Sequence, residues 1–466
     1  MLDYKVKIGL VPERRWLADG YKRKGIFNPQ KAVDNKNKIV KYITENFSDD
    51  KTEFVNLDFL NDEGLLVEAG ECAKIRDEFK KKNVDAIFII NCNFGNEEAA
   101  GTIAKMMNLP TLLWGPRDTV FEPDGTRYTD CQCGLFAVSK QLRRYGIPFS
   151  YIENCPVEDE IFSDGLKRFL SVVCMVKNFK KLNILSIGTR LNPFKSVMSN
   201  ELELTEKFGF NMNTMNMAVF SEKIKRLYEE KTEDINCYLD DLKSKYKFIN
   251  SDDETVKKVL ALALAYKEAA DESGADVISA ECWTATPPAF GVYPCLAFSV
   301  LADMGCIVTC ESDVYGAVSN VLAKCAARGE VNPLFGEFTV RHPEDKNAEL
   351  LWHCGPFPYS SKKDGARAEL INTKPSFRAK DGRYTICRFQ GDRGNYTLLC
   401  GRFDTTDGPY TTGTHMWAKF GDLSAIEKKF INGPYIHHMT EVFGDYYECM
   451  EEFCKFIPEL EFDAME

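Results

Sequence analysis

Acidic residues directly follow two short apolar runs in the middle of this sequence. Glu281 follows the run 275–280, and Glu311 and Asp313 follow the run 306–310. Both runs are predicted to be strands of one sheet, so their acidic ends are expected at the same edge. Carboxylates placed there could bind a divalent cation or act as general acids and bases.

Histidines that could complete such a site lie further along the chain. The sequence contains five histidines, among them His353 and the pair His437-His438. Carboxylates and imidazoles from separate segments are the ligands of open divalent-metal sites, and they suit Mn²⁺, Co²⁺ or Mg²⁺ better than a thiolate-rich set would. The residue types therefore predict a metalloenzyme. Because adjacent strand residues point to opposite faces, we expect His437 to support the site or contact a substrate.

Each of these residues also has a purely structural explanation. Glu281 could cap the helix that follows it, and Asp313 could be the N-cap before the segment 315–318. His353, beside Trp352, could be a histidine of the core. The sequence leaves both alternatives open at each position.

The seventeen cysteines are scattered through apolar runs. An odd number without a regular framework fits reduced thiols better than a set of disulfides. Cys282 and Cys354 lie next to candidate site residues in the sequence, and buried inert thiols are the simplest interpretation of both.

The first third of the chain alternates short apolar strands with helical segments. Strands are predicted at 6–11, 52–57, 84–91 and 110–114. This alternation predicts an α/β fold with a doubly wound parallel sheet, in which ligands approach the carboxyl ends of the strands. The residues at those ends that we predict to bind a substrate are Arg14, Trp16, Asn93, Trp114 and Arg117.

The rest of the chain predicts a second α/β domain and then a β-rich one. Strands near 182–188, 275–280 and 306–310 and a long helix over 253–273 form the second parallel unit, where Arg190 and Trp283 are further candidates for substrate binding. Alternating residues at 384–389 and 396–403 predict antiparallel strands, followed by a closing helix over 439–456. The predicted domains are 1–165 for substrate recognition, 166–330 for the acidic catalytic residues, and 331–466 for the histidines.

Composition excludes several classes of protein. The 466 residues carry a net charge of −11, which argues against nucleic-acid binding and favours a protein of the cytoplasm. Residues 1–11 are predicted to form a strand rather than a signal peptide, and no run approaches the ~20 apolar residues that span a membrane.

These segments, in their order, resemble the L-fucose/L-arabinose isomerase family. The resemblance rests on the opening strand 8–11, the strand end Ala280-Glu281, the cluster 311–313, the segment His353-Cys354-Gly355 and the pair His437-His438. It extends over most of the chain in outline, and its most specific part is the ordered set from Glu281 to His438.

The resemblance implies a metal-binding aldose–ketose isomerase, usually with Mn²⁺, in a cytoplasmic homo-oligomer that is a trimer or hexamer. Glu281 matches the family's first metal-binding and catalytic acid. Asp313 matches the second acid of the fucose branch, whereas Glu311 is closer to the arabinose branch. His438 matches the ligand histidine, and His353 an additional histidine of the arabinose branch. Glu281 and Asp313 are thus expected to be the acid/base pair around a metal-bound cis-enediolate, with both acids and both histidines as ligands.

The resemblance also implies that the N-terminal domain of one subunit completes a neighbour's active site. No Gly-rich phosphate cradle is visible, which favours an unphosphorylated sugar as the small-molecule partner. The arginines at the strand ends could bind hydroxyl groups or an anionic group, so the substrate is expected to be fucose-like, arabinose-like or a hexose with an anionic substituent at C6.

Two other functions fit the same residues. A metal-dependent hydrolase or lyase could use the site to activate water. A non-catalytic sugar-binding protein could close two α/β domains on a ligand, although such a cleft does not require two acids and two histidines.

Overall fold

The computed structural model describes residues 1–17, 27–119, 121, 123–127 and 129–466. The chain forms two units. The N-terminal unit contains residues 3–177 and 455–457, and the C-terminal unit contains residues 1–2, 178–454 and 458–466. The C-terminal unit thus includes both the second parallel sheet and the β-rich segment. Nowhere in the described part of the chain is a helix long and apolar enough to cross a membrane.

The N-terminal unit is built on a five-stranded parallel sheet with the order β2-β1-β3-β4-β5. Its strands are β1 (Val6–Glu13), β2 (Thr52–Val55), β3 (Ala86–Asn91), β4 (Thr111–Trp114) and β5 (Ser150–Tyr151). Its helices are α1 (Pro29–Phe47), α2 (Cys72–Lys81), α3 (Glu97–Met107), α4 (Cys131–Arg144) and α5 (Glu160–Phe179). Every residue of β3 is buried, which explains its unbroken apolar run, and the strand order reverses between β1 and β3.

A four-stranded parallel sheet with the order β10-β9-β6-β7 begins the C-terminal unit. Its strands are β6 (Asn183–Ile187), β7 (Asn211–Met215), β9 (Val277–Ala280) and β10 (Ile307–Thr309). The helices of this region are α6 (Glu201–Phe208), α7 (Met217–Glu230), α8 (Thr232–Lys245), α9 (Asp253–Ser273), α10 (Thr286–Phe290), α11 (Cys295–Asp303) and α12 (Val314–Ala326). Strands β9 and β10 are parallel neighbours, so the acidic residues after them share one edge, as predicted.

Strands that pair mostly in the antiparallel direction make up the β-rich region. Its strands are β11 (Leu334–Arg341), β12 (Ala348–His353), β13 (Glu369–Ile371), β14 (Lys374–Arg378), β15 (Arg383–Asp392), β16 (Asn395–Thr406), β17 (Thr414–Lys419), β18 (His438–Phe443) and β19 (Leu460–Ala464), with β8 (Lys247–Ile249) at one edge of the sheet. Pairing of β16 with β17 closes β11, β12, β17, β16, β15 and β18 into a barrel. Helices α13 (Leu423–Asn432) and α14 (Tyr447–Cys454) complete the region. The predicted α/β class with a β-rich C-terminal region is confirmed.

The predicted closing helix over 439–456 is wrong in its first half. Strand β18 occupies His438–Phe443, and only Tyr447–Cys454 is helical. This strand hydrogen-bonds with both β11 and β15, and its residues 438–442 are buried. The barrel needs this strand to close, so tertiary pairing overrides the local helical pattern.

Candidate metal centre and active site

Glu311 lies in a strained turn directly after β10. Its backbone φ is +62° and that of Ser312 is +56°, a left-handed conformation that costs a non-glycine residue about 1–3 kcal/mol. The Ser312 hydroxyl donates to the Thr189 carbonyl at 2.9 Å. The Trp283 indole N–H donates to Glu311 Oε1 at 3.1 Å. The turn therefore fixes one carboxylate oxygen and leaves Oε2 to face other residues.

Three residues of the barrel surround that oxygen. His438 Nε2 lies 2.9 Å from Glu311 Oε2 and 3.8 Å from Glu337 Oε1. His353 Nε2 lies 3.4 Å from Glu337 Oε1. Single atoms of Glu311, Glu337 and His353 lie within 4.8 Å of one another, as do those of Glu337, His437 and His438. One ion could contact several of these atoms at once.

The unpaired atoms of this cluster fit a cation. Glu311 Oε2, His353 Nε2 and His438 Nε2 are buried and have no hydrogen-bond partner among the described residues. Glu311 Oε2 and His438 Nε2 are close, but their orientation does not form a hydrogen bond. Buried polar atoms without partners are rare because each costs free energy. Carboxylate oxygens and imidazole nitrogens are ligands that Mn²⁺, Co²⁺ and Mg²⁺ accept.

Asp313 lies behind this cluster and is fully buried. Arg388 donates to both of its oxygens, at 2.5 and 3.1 Å, and the Gly316 N–H donates to Oδ1 at 2.9 Å. Asp313 is therefore the N-cap of α12, the structural alternative noted from the sequence. Its Oδ2 also lies 2.9 Å from His438 Nδ1. With Nδ1–H held by Asp313, the Nε2 lone pair of His438 points toward Glu311 and Glu337.

Glu281 lies at the end of β9, beside the cluster but outside the two groups of candidate ligands. The backbone N–H and hydroxyl of Thr189 donate to Oε2 at 2.7 and 3.1 Å, and the Thr284 hydroxyl donates to Oε1 at 2.8 Å. Gly188, with φ of +84°, passes so close that an added Cβ would lie 2.6 Å from Oε2. The carboxylate is thus held in one position, and Thr189 connects it to the Glu311 turn.

Burial and neighbouring charges shift the pKa values of the cluster. Burial opposes the charged form of Glu311, but His438 and His353 outweigh it and lower its pKa. Burial raises the pKa of Glu337. Burial would lower the pKa of His438, yet Asp313 and Glu311 raise it. Burial and the charge of His438 lower the pKa of His437 to about 4, so His437 is neutral at pH 7.

An aromatic surface borders the cluster in the C-terminal unit. Trp283 is 41% exposed, and its ring lies 6.0 Å from that of Phe194. Phe194 also lies 6.3 Å from the His437 ring. Arg190 donates from Nη1 to the carbonyls of Leu191 and Phe194, so it shapes the loop that carries Phe194. Of the two predicted residues, Trp283 is partly exposed beside the cluster, whereas Arg190 hydrogen-bonds with the loop that carries Phe194.

The five candidates of the N-terminal unit have different surroundings. Arg14 is buried and pairs with Glu63 at 2.6 Å, and the Asn93 side-chain oxygen accepts from the backbone N–H groups of Arg15 and Gly95. Trp16 and Arg117 are exposed. Trp114 is fully buried, with its ring 4.6 Å from that of Phe162, and is accordingly a core residue rather than a substrate contact.

Glu337 and Arg388 were not predicted from the sequence. Glu337 lies in β11 among apolar residues, where alternation predicts a solvent-facing side chain. Arg388 interrupts the otherwise apolar centre of β15, and its charge in a buried strand is a signal that could have pointed to a buried acidic partner.

A buried carboxyl group in the N-terminal unit makes its stability depend on pH. Glu13 is fully buried at the end of β1, with Oε1 unpartnered within the described structure and the Asn96 N–H donating to Oε2. Burial raises the pKa of Glu13 from 4.5 to about 8. The folded unit therefore keeps a proton that the unfolded chain releases above pH 4.5. The contribution of Glu13 to the free energy of unfolding is full below pH 4.5 and is lost as the pH rises through 8.

Glu13→Gln is expected to remove this dependence. At pH 8 to 9 the variant should open β1 less readily than the wild type, by on the order of 2–4 kcal/mol, because the amide carries no charge to bury. Hydrogen–deuterium exchange of β1 and β3 at pH 6 and pH 9 measures the difference. The exposed Glu98→Gln is the control. Equal pH dependence in wild type and Glu13→Gln would contradict the prediction.

Comparison with known proteins adds to this geometry. Residues 21–180 match the N-terminal domain of the fucose/sulfoquinovose isomerases. Sulfoquinovose isomerases of Priestia aryabhattai and Priestia megaterium are each 24% identical to this chain over 401 residues, which cover 84% of this chain and 88% of the relative. The sulfoquinovose isomerase of Alkalicoccus urumqiensis is 25% identical over 335 residues, or 70% of this chain and 73% of the relative.

Similarity to solved structures is weak. A periplasmic solute-binding protein of Actinobacillus succinogenes with bound D-allose covers 69% of this chain and 92% of its own, at 12% identity and a TM-score of 0.17. A TM-score this low supports no conclusion about the chain.

Proposed function

We propose that this chain interconverts the aldose and ketose forms of an unphosphorylated hexose with an anionic group on C6, because residues 21–180 match the N-terminal domain of the fucose/sulfoquinovose isomerases and the chain is 24% identical to sulfoquinovose isomerases. The observation that carries the proposal is the convergence of Glu311, Glu337, His353 and His438 beside Glu281. Support for the anionic group comes from the relatives, which are named for a sulfonated sugar.

Glu311, Glu337, His353 and His438 would hold the divalent metal. The metal, Mn²⁺ by the family resemblance with Co²⁺ or Mg²⁺ as alternatives, supplies a Lewis acid that polarises the sugar oxygens and acidifies the neighbouring C–H. Asp313 is a positioning residue in this proposal, since it fixes His438 and its own oxygens are occupied. In this proposal Glu311, and not Asp313 as expected from the sequence, is the ligand that follows β10.

Isomerisation moves a proton from C2 to C1 through a cis-enediolate. We assign to Glu281 the transfer of the carbon-bound proton, because its Oε1 accepts only one hydrogen bond and can still accept a proton. Its fixed position removes the need to order the base during the reaction. Glu311, at the end of the adjacent strand, is the second acid/base and exchanges the hydroxyl proton. The aromatic surface of Phe194 and Trp283 would pack on the apolar face of the sugar and exclude water.

Proton NMR in D₂O tests the function. Mn²⁺-loaded and EDTA-stripped protein are each incubated with sulfoquinovose, L-fucose, L-arabinose and D-arabinose. We expect metal-dependent deuterium at C2 together with ketose, strongest with the sulfonated sugar. Absence of exchange with all four sugars, despite bound metal, would refute the isomerase proposal in favour of metal-dependent hydrolysis or lyase chemistry.

Glu337→Gln tests the metal site independently of turnover. Loss of a charged ligand should weaken Mn²⁺ binding by at least about 100-fold, more than loss of an outer-shell partner does. Titration calorimetry with MnCl₂ measures the affinity. The exposed Glu344→Gln on the same barrel is the matched control. Unchanged Mn²⁺ affinity in Glu337→Gln would remove this residue from the metal site.

A cytoplasmic homo-oligomer, trimer or hexamer, also belongs to the proposal. Its support is the family resemblance and, for the location, the net charge of −11. Light scattering on the purified protein determines the assembly.

A further inference from the structure

Two cysteines lie in contact behind the metal cluster. Cys295 is the first residue of α11, and Cys354 directly follows β12. Their sulfurs are 3.1 Å apart. An S–S bond is about 2.05 Å long, so a shift of about 1 Å would join them.

The surroundings of the two thiols differ. Cys295 is 3% exposed, whereas Cys354 is partly exposed. Cys354 Sγ lies 3.3 Å from His353 Nδ1, which also accepts from the Cys354 N–H at 2.9 Å. Cys354 is thus the thiol that a small oxidant reaches first, and its sulfur is in contact with the His353 ring.

A soft-metal site is the other chemistry that such thiols could serve. Cys310 contacts both Cys282 and Cys354, and Cys354 contacts Cys295. Of the residues that the structure describes, neither group of metal-ligand candidates with mutual spacing below 4.8 Å includes a cysteine. The geometry therefore favours a bond between the two closest sulfurs.

We propose that Cys354 and Cys295 form a reversible disulfide when the protein meets hydrogen peroxide, and that this bond weakens metal binding through His353. The second half rests on the proposed function, because it takes His353 as a metal ligand. The first half requires only the positions of the two sulfurs.

The reaction balances in two steps. The Cys354 sulfur attacks peroxide, so that an S–O bond forms, the O–O bond breaks, and water leaves with the thiol proton. The Cys295 sulfur then attacks the Cys354 sulfur, so that the S–S bond forms and the S–O bond breaks. The departing hydroxide takes the Cys295 proton and leaves as a second water. Peroxide is reduced and the two thiols are oxidised.

Formation of the bond changes the residue beside it. Cys354 must move toward α11, which removes the contact between its sulfur and His353 Nδ1. His353 is covalently adjacent, so the ring that presents Nε2 to Glu337 loses its orienting partner. Loss of such a partner costs a metal site about tenfold in affinity.

The experiment treats full-length reduced protein with hydrogen peroxide, blocks the remaining thiols with N-ethylmaleimide, and maps the digest by mass spectrometry without reduction. We expect a Cys295–Cys354 cross-link that dithiothreitol removes. Mn²⁺ affinity by calorimetry should fall by about tenfold and recover on reduction. Cys295→Ala should form no cross-link and keep wild-type Mn²⁺ affinity and turnover when reduced. Cys306→Ala is the control, because it removes a free thiol outside this pair, and it should form the cross-link as the wild type does.

Several results would overturn the inference. A Cys310–Cys354 cross-link, or irreversible oxidation of Cys354 with Cys295 still free, would show that the pair is wrongly assigned. Zinc bound to these thiols in the purified reduced protein would show that they form a structural metal site and not a reversible disulfide. If the cross-link forms but the reduced protein neither binds Mn²⁺ nor exchanges sugar protons, the proposed function fails and the disulfide stands. If sugar-proton exchange is normal and no cross-link forms, the disulfide proposal is wrong and the proposed function stands.

Discussion

Glu281→Gln is expected to abolish exchange of the sugar C2 proton while leaving Mn²⁺ bound. The glutamine carbonyl oxygen can keep the two hydrogen bonds from Thr189, and its NH₂ group can donate to the Thr284 hydroxyl, but the amide cannot accept a proton. Loss of a general base lowers the rate by about 10²–10⁴-fold. Since Glu281 lies outside the groups of candidate ligands, the metal should stay in place.

The measurement combines two readouts on the same sample. Proton NMR in D₂O follows deuterium at C2, and calorimetry follows Mn²⁺ binding. Glu272→Gln is the matched control, because this exposed glutamate of α9 pairs only with Lys223 among the contacts described. Exchange at the wild-type rate would exclude Glu281 as the base, and loss of Mn²⁺ would instead make it a ligand.

Breaking the Arg388–Asp313 pair by substitution of Arg388 is expected to lower the free energy of unfolding more than the other substitutions. Both side chains are fully buried. Arg388→Met leaves the Asp313 carboxylate without its main charge partner, and removal of one partner of a buried pair costs about 3–5 kcal/mol. The pKa of Asp313 is well below 3.8 because Arg388 and His438 outweigh its burial. Its contribution is therefore present above about pH 4 and is lost as the pH falls further, so the deficit of Arg388→Met should be largest at neutral pH.

A double-mutant cycle separates stability from metal binding. Asp313→Asn combined with Arg388→Met removes both charges and should recover part of the lost stability. Mn²⁺ affinity should stay low, about 10–100-fold below wild type, because asparagine does not hold His438 as the carboxylate does. Urea unfolding and calorimetry provide the two measurements. Additive losses of stability, or wild-type Mn²⁺ affinity in the double variant, would contradict the role given to the pair.

The sequence predicted those parts of the fold that depend on local patterns. Helix α9 has the predicted limits, because an amphipathic run is closed by Asp252 as N-cap and by Gly274 with φ of +63°. The apolar runs that end at Glu281 and Glu311 are parallel neighbours, since short unbroken apolar strands require cover on both faces. Local pattern did not predict β18, whose two hydrogen-bonding partners lie about 50 and 100 residues earlier along the chain.

The division of roles at the candidate site could come only from the tertiary structure. Glu311 and Asp313 are two residues apart, and the sequence left the choice between them open. Two left-handed residues turn Glu311 toward the barrel histidines, while Arg388, 75 residues further along, encloses Asp313. Glu337 reaches the cluster because β11 pairs with β18, which no local pattern of either strand indicates. The sequence by itself determined which acids and imidazoles are available and at which strand ends they lie. Long-range strand pairing and one buried charge decided which of them face each other, because such contacts depend on segments far apart in the chain.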